Sequence, residues 1–293
     1  MVRRFIQFFA ALAVLAGCTS HPEVQPANLR LATYNIRFDT AADGANAWPH
    51  RREPVAALMR FYAPDIFGMQ EVTAGQLAQL KEDLPAYRFV GVGRDDGLSG
   101  GEFSPLAFRP DRFGLAGQGT FWLSPTPDVP SRGWDAALPR IATWAHLVDR
   151  DSGVRILAVN THWDHAGLQA RLESGRLIRD WIAGHRGPCE AVVLLGDLNA
   201  APDEASYQAL IAPGGDQLLD TMSITETPAF GPTGTFNAFD ISRQPTGPID
   251  HIFVSEGTRV VRYGVITQQD AGRLPSDHYP VIADIAVSAC PEP

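Results

Sequence analysis

Cysteine is scarce, with three in 293 residues. So little thiol disfavours a structural zinc site. No segment repeats at a period of roughly 20–50 residues, which excludes a solenoid or a propeller. There is no HExxH, no Walker A loop and no GxSxG, so none of the chemistries those motifs serve is indicated. Positive charge is also short: 24 Lys and Arg face 33 Asp and Glu, for a formal net charge of −9. An acidic body repels polyanions and offers no electrostatic footprint for nucleic acid. It still permits a small phosphate ester held by a local metal. No apolar run is long enough to span a bilayer comfortably, and no composition shift marks an internal domain boundary.

What is present begins with "MVRRFIQFFAALAVLAGCTS": two arginines, an apolar run, then small residues. That order is a secretory signal over residues 1–17. Its end, "LAGC", resembles a bacterial lipobox with Cys18 as the lipidated residue, and Thr19 after it directs the protein to the outer membrane. Loss of Arg3 and Arg4 with the signal takes the charge from −9 to −11. Residues 18–29 are a short tether, and residues 30–289 form one domain. An envelope location permits a disulfide between Cys189 and Cys290; spacing alone leaves that bond open.

Hydrophobic residues make up 45% of the chain and charged ones 19%, enough for a packed core. "LATYNI", "DIFGMQ", "VRILAVNTHW" and "EAVVLLGD" read as strands. "EPVAALMRFY" reads as a helix starting near Pro54, and "TAGQLAQLKEDL" as one opened by a Thr73–Gln76 capping box. "LQARLESGRLIRDWIAGH" is the longest helical pattern, with Leu168, Leu172, Ile178, Trp181 and Ile182 near one face. Residues 212–247 are rich in Pro and Gly and read mostly as loop. Strands interleaved with single helices make a layered α/β protein.

The apolar runs stop on polar residues: Asn35; Gln70 and Glu71; Arg109; His162; Asp197 and Asn199. Asp250 and His251 precede one late strand, and Asp277 and His278 the last. Any one of these alone is most often a turn former or a helix cap. Seven strands ending this way would build a carboxylate-rich pocket if those ends meet. Asp197 and Asn199, two apart, would face one side of an extended backbone. Gathered carboxylates repel one another and raise each other's pKa. A hard divalent cation with oxygen ligands, Mg²⁺ or Mn²⁺, resolves that repulsion. Metal-assisted hydrolysis of a phosphate ester is the reaction class that uses such parts.

The blocks "TYNIRF", "MQE", "EFSPLAFRP", "NTHWDH", "GDLNA", "IDHIFV" and "SDHYPV" resemble, in order, the signatures of the endonuclease/exonuclease/phosphatase superfamily. "GTFWLSPTPDVPSRGWDAALPRIATWA" resembles a stretch of a bacterial branch whose substrates are mostly unassigned. The resemblance implies a four-layer sandwich, two central mixed β-sheets flanked by helices. It implies Glu71 as principal metal ligand with Asn35 beside it. Asp197 would activate water, and Asn199 and His278 would stabilise charge on the phosphoryl oxygens. Asp277 would hold His278 or reach the metal, and Asp250 would bond near His162. His162 would contact the phosphate or protonate the leaving oxygen, with Glu102 as its carboxylate partner. Arg109 and Arg140 are candidate phosphate clamps, although Arg109 could instead pair with Asp111. Asp164 and His165 are expected at the rim, His251 in local packing, and Trp48, Trp134 and Phe236 in a substrate wall or the core. The expected protein is a monomeric, Mg²⁺-dependent phosphodiesterase or phosphatase of small or lipid-derived esters, touching the membrane only through its lipid. The alternative is an envelope nuclease acting on DNA or RNA, which the acidic charge disfavours.

Overall fold

The structure, a computed structural model, describes residues 26–214 and 217–288. The signal, Cys18, most of the tether and Cys290 lie outside the described residues. Cys189 is disulfide-bonded, and its partner lies outside them too.

The chain order is β1 (Ala27–Asn35), α1 (Trp48–Tyr62), β2 (Ile66–Gln70), α2 (Ala74–Asp83), β3 (Arg88–Val90) and β4 (Leu106–Phe108). Then come β5 (Phe113–Trp122), β6 (Ile141–Asp149), β7 (Arg155–His162), α3 (Leu168–His185) and β8 (Glu190–Asp197). The chain ends with α4 (Ala205–Leu210), β9 (Leu218–Asp220), α5 (Thr221–Ile224), β10 (Asp250–Ser255), β11 (Arg259–Val265) and β12 (Val281–Val287). Two six-stranded sheets result, ordered β11-β12-β1-β2-β4-β3 and β5-β6-β7-β8-β10-β9.

Strand parity builds the layers. On β8, Val193 and Leu195 face the other sheet, where Leu31, Ile66 and Ile252 also pack. Val192 and Leu194 face α3 and α4 through Ile178, Ile182 and Leu210. On β1 and β2, Ala32, Tyr34 and Phe67 meet α1 and α2 through Val55, Met59 and Leu80. A continuous apolar run buried on both faces is what a strand between two layers needs. The result is the expected four-layer sandwich.

Three local expectations change. β1 starts at Ala27, inside the stretch read as tether, because Asn28 and Arg30 alternate with buried Ala27, Leu29 and Leu31. α1 starts at Trp48, not near Pro54; Pro49 fits its first turn, where a missing N–H costs nothing, and Pro54 lies inside the helix. α3 buries Arg171, Ser174, Gly175, Ile178 and Ile182, whereas Leu168 is exposed. The α2 capping box forms as expected.

A polar rung ties the sheets together just below the site. Asn160 of β7 donates to the carbonyls of Met69 (2.8 Å) and Pro105 (2.9 Å) and accepts from Gln70 Nε2 (2.7 Å). Gly68 makes room for it: a Cβ there would lie 2.3 Å from Asn160 Oδ1. Gly68→Ala must displace the amide and strand buried carbonyls, at a cost of about 3 kcal/mol. Equilibrium denaturation measures it; an unchanged midpoint would show that the rung can yield.

Candidate active site

The sheet topology decides which side chains meet. β1 and β2 run parallel, as do β7 and β8, so Asn35 lies beside Gln70 and His162 beside Asp197 at their C-terminal ends. β10 is antiparallel to β8 and begins there, with Asp250 opposite Asp197. β12 is antiparallel to β1, so Asp277 and His278 arrive at the same end. Asn35, His162, Asp197 and Asp250 share the parity of the inter-sheet core residues on their strands. They form its last rung, where apolar packing gives way to polar groups. Glu71 follows β2 with a left-handed backbone (φ 60), as do Arg37 (φ 58) and Asn199 (φ 46) around the same site. Such conformations are uncommon outside glycine and gather where surrounding structure enforces them.

The hydrogen bonds are continuous across both sheets. Asn35 Nδ2 donates to Glu71 Oε1 (3.0 Å) and to Asp197 Oδ2 (2.9 Å). The Asn199 backbone N–H donates to Asp197 Oδ1 at 2.9 Å. Asn199 Nδ2 lies 3.0 Å from His162 Nε2 and donates to the Trp163 carbonyl at 3.1 Å. His278 Nδ1 is 2.8 Å from Asp250 Oδ2, and His278 Nε2 is 3.8 Å from Asp197 Oδ2. Glu71, His162, Asp197, Asn199 and His278 border a cavity of about 390 Å³, also lined by Arg37, Phe38, Leu138, Arg140, His165 and Phe236, while Asn35 and Asp250 lie buried behind it.

Burial and charge set the protonation states. Burial, reinforced by Asp250, pushes the Asp197 carboxyl up to about 7. Burial alone would lower His278, but Asp250 and Asp197 push it up to about 10, so it carries a proton at neutral pH. Burial, with Arg140 and Arg94 nearby, drives His162 well below the usual imidazole range, and its ring is neutral. Burial also raises Asp277 and Glu102.

Several expected partners differ. Asp250, not Asp277, holds His278, because β10 places Asp250 beside that ring. Asp277 faces Arg37 instead, at 3.9 Å. Glu102 is bonded through both oxygens to Arg94, at 2.8 and 2.9 Å, and His162 Nδ1 is buried without a partner. Asp197 and Asn199 do not share an extended strand; β8 ends at Asp197 and a turn folds Asn199 back onto it. Asp164 is buried, not at the rim. It accepts N–H groups from Ala137, Leu138, Ala166 and Gly167, and it pairs with Arg140. Trp48 is core, packed between α1 and α2. His251 packs locally as expected, on Asp220 and the Ala200 carbonyl.

Arg109 is absent from the cavity. It follows β4, which is antiparallel to β2, so it emerges at the opposite end of the sheet and pairs with Asp111 at 2.7 Å and Asp65 at 3.9 Å. Arg109→Ala is expected to leave kcat and KM within about twofold, since exposed ion pairs contribute little. A tenfold loss in steady-state kinetics would return Arg109 to the site. Arg140 does line the cavity; it is 4% exposed and its Nη1 has no partner.

Arg37, Arg94 and Arg51 escaped the sequence reading. Arg37 stands inside the quoted "TYNIRF", two residues from Asn35, which was the available signal. Arg94 sits in the Gly-rich loop before Glu102. Nothing in the pattern of α1 marks Arg51 as buried.

A model of the Endonuclease/Exonuclease/phosphatase family matches residues 32–278. A solved endonuclease/exonuclease/phosphatase family protein from Bacteroides thetaiotaomicron is 39% identical, covering 90% of this chain and 99% of that one, with a TM-score of 0.86. A mannosyl-6-phosphatase of the same organism is 40% identical, covering 88% and 99%, with a TM-score of 0.83. An uncharacterized protein of Acanthamoeba polyphaga mimivirus is 26% identical over 196 residues, 64% of this chain and 72% of that protein. The matched span runs from the first strand through His278 and so encloses Asn35, Glu71, His162, Asp197, Asp250 and His278, and the chain belongs to the endonuclease/exonuclease/phosphatase family.

Proposed function

We propose that this protein is a Mg²⁺- or Mn²⁺-dependent phosphoester hydrolase whose substrate is a small phosphomonoester, foremost a sugar phosphate. The observation that carries this is the convergence of Glu71, Asp197, Asn199, His162 and His278 on one cavity, with Asn35 bonded behind Glu71 and Asp197. The mannosyl-6-phosphatase relative, 40% identical, supports the sugar phosphate. Arg140 supports a monoester dianion: it lines the cavity with Nη1 unpartnered.

The donors fit a hard cation. Glu71 and Asp277 line the cavity with carboxylate oxygens. Asp197, Asp250 and His278 also place ligand-type atoms within 4.8 Å of one another. That second set is engaged internally, because a protonated His278 donates to Asp250 and cannot ligate. Glu71 would therefore hold the ion, which when bound would polarise a phosphoryl oxygen as a Lewis acid. Asn35, expected beside it as a ligand, instead turns its amide N–H toward Glu71 and orients that carboxylate, its Oδ1 being taken by the Arg37 N–H.

The chain's own groups do the rest. Asp197, oriented through both oxygens by Asn35 and Asn199, takes the proton of the attacking water. His278, oriented by Asp250, donates from Nε2 to the phosphoryl oxygens as charge grows there. His162 is neutral, so it hydrogen-bonds the phosphate without serving as a strong acid. We place the enzyme in the bacterial envelope, as a monomer anchored through Cys18.

A hydrolysis screen with Mg²⁺ tests the reading. Nitrophenyl phosphate and hexose phosphates should turn over, bis-nitrophenyl phosphate and phospholipids more slowly, and linear DNA not detectably. Preference for DNA would favour the nuclease; inertness toward every ester would overturn the hydrolase.

A further inference from the structure

One cation in the cavity has no part in the chemistry above. Arg37 is held at backbone and side chain alike. Its N–H donates to Asn35 Oδ1 (3.0 Å), and its carbonyl accepts from Gln76 Nε2 (2.9 Å) and Arg51 Nη2 (3.2 Å). Arg51 is 2% exposed and also donates to the carbonyls of Ile36, Asn46 and Pro275, so the turn is pinned from below. The Arg37 guanidinium forks onto Asp43 through Nε and Nη2, both at 3.0 Å, and lies 4.4 Å over the Phe38 ring. In that pose it stands 3.9 Å from Glu71 Oε2 and 3.9 Å from Asp277 Oδ2.

We propose that Arg37 is a built-in cation, taking the place a second metal ion would occupy between Glu71 and Asp277, so that the centre binds one divalent ion. This rests on the metal reading given above. Paired ions in hydrolytic sites sit about 3.5–4 Å apart and share carboxylates. A second ion sharing Glu71 would have to enter the space between Glu71 and Asp277. That space holds a guanidinium which cannot lose its proton and cannot swing away without breaking its fork on Asp43. With Arg37 removed, Glu71, Asp277 and Asp43 become an oxygen-only cluster with no compensating charge, the type of donor set that takes a hard cation.

The test is Mn²⁺ stoichiometry on chelator-stripped full-length protein without substrate, read by isothermal titration and by the electron paramagnetic resonance of free Mn²⁺. The wild type should bind one Mn²⁺ per chain, Arg37→Lys one, and Arg37→Ala two. Arg37→Gln, which keeps an amide donor toward Asp43 but no charge, should also bind two and serves if the alanine variant melts early. Two ions on the wild type, or one ion on both uncharged variants once folded, overturns the proposal. No binding by the wild type overturns the metal reading and this inference with it.

Discussion

Alanine at Asp197 is expected to lower kcat by about 10³–10⁴-fold, the range for loss of a positioned general base. His278→Ala should lower it by about 10²–10³-fold, as for loss of an oxyanion donor. Glu71→Ala should fall in the same range through loss of the metal ligand. Steady-state hydrolysis of nitrophenyl phosphate in Mg²⁺, run beside thermal melts, separates chemistry from folding. Full activity in any of the three would remove that residue from the mechanism. The melts have a sign of their own. In the metal-free protein, Asp197 is pushed up to about 7 by burial and by Asp250. From the ordinary carboxylate range up to about pH 7, the folded chain keeps a proton there that the unfolded chain has released. Stability therefore falls as pH rises across that window. Asp197→Asn should lose this slope and melt no lower than the wild type at pH 7 in chelator. A much lower melting temperature would mean that Asp197 supports the fold.

Chelation is the second large effect. EDTA should reduce turnover by about 10³-fold or more, the scale of several kcal/mol of transition-state charge stabilisation. Adding back Mg²⁺ or Mn²⁺ should restore it. The electrostatics of the stripped site supply the reason. Glu71, Asp197 and Asp277 border one cavity. Burial raises both Asp197 and Asp277. A protonated Asp197 cannot accept a proton from water, so the empty site is a poor base as well as a poor electrophile. The ion should also raise the melting temperature as its concentration rises, because it binds the folded state. Undiminished hydrolysis in chelator would rule out the metal.

Much of the site was legible because strand ends are legible. "VVLLGD" shows its own stop, and β8 ends at Asp197 as its apolar run does. The span of the long helix, 168–185, also matched, though its buried face did not. Partner choice was not legible. Asp250 and Asp277 each precede a late strand and look equivalent in the text; only the antiparallel pairing of β10 with β8 gives His278 to Asp250. Arg109 ends an apolar run like the others, but its strand runs the opposite way. The buried arginines were invisible for a related reason. Arg51 is held by carbonyls of Ile36, Asn46 and Pro275, and backbone acceptors leave no mark in a sequence.

The polar rung at the cavity belongs to neither sheet alone. Asn35 and Glu71 ride on one and Asp197 and His162 on the other, so the proposed chemistry depends on the gap between the sheets. A slip of half an ångström between the two halves would lengthen the Asn35–Asp197 bond while leaving each half folded. The protein should accordingly fall silent in mild denaturant before its secondary structure reports any loss.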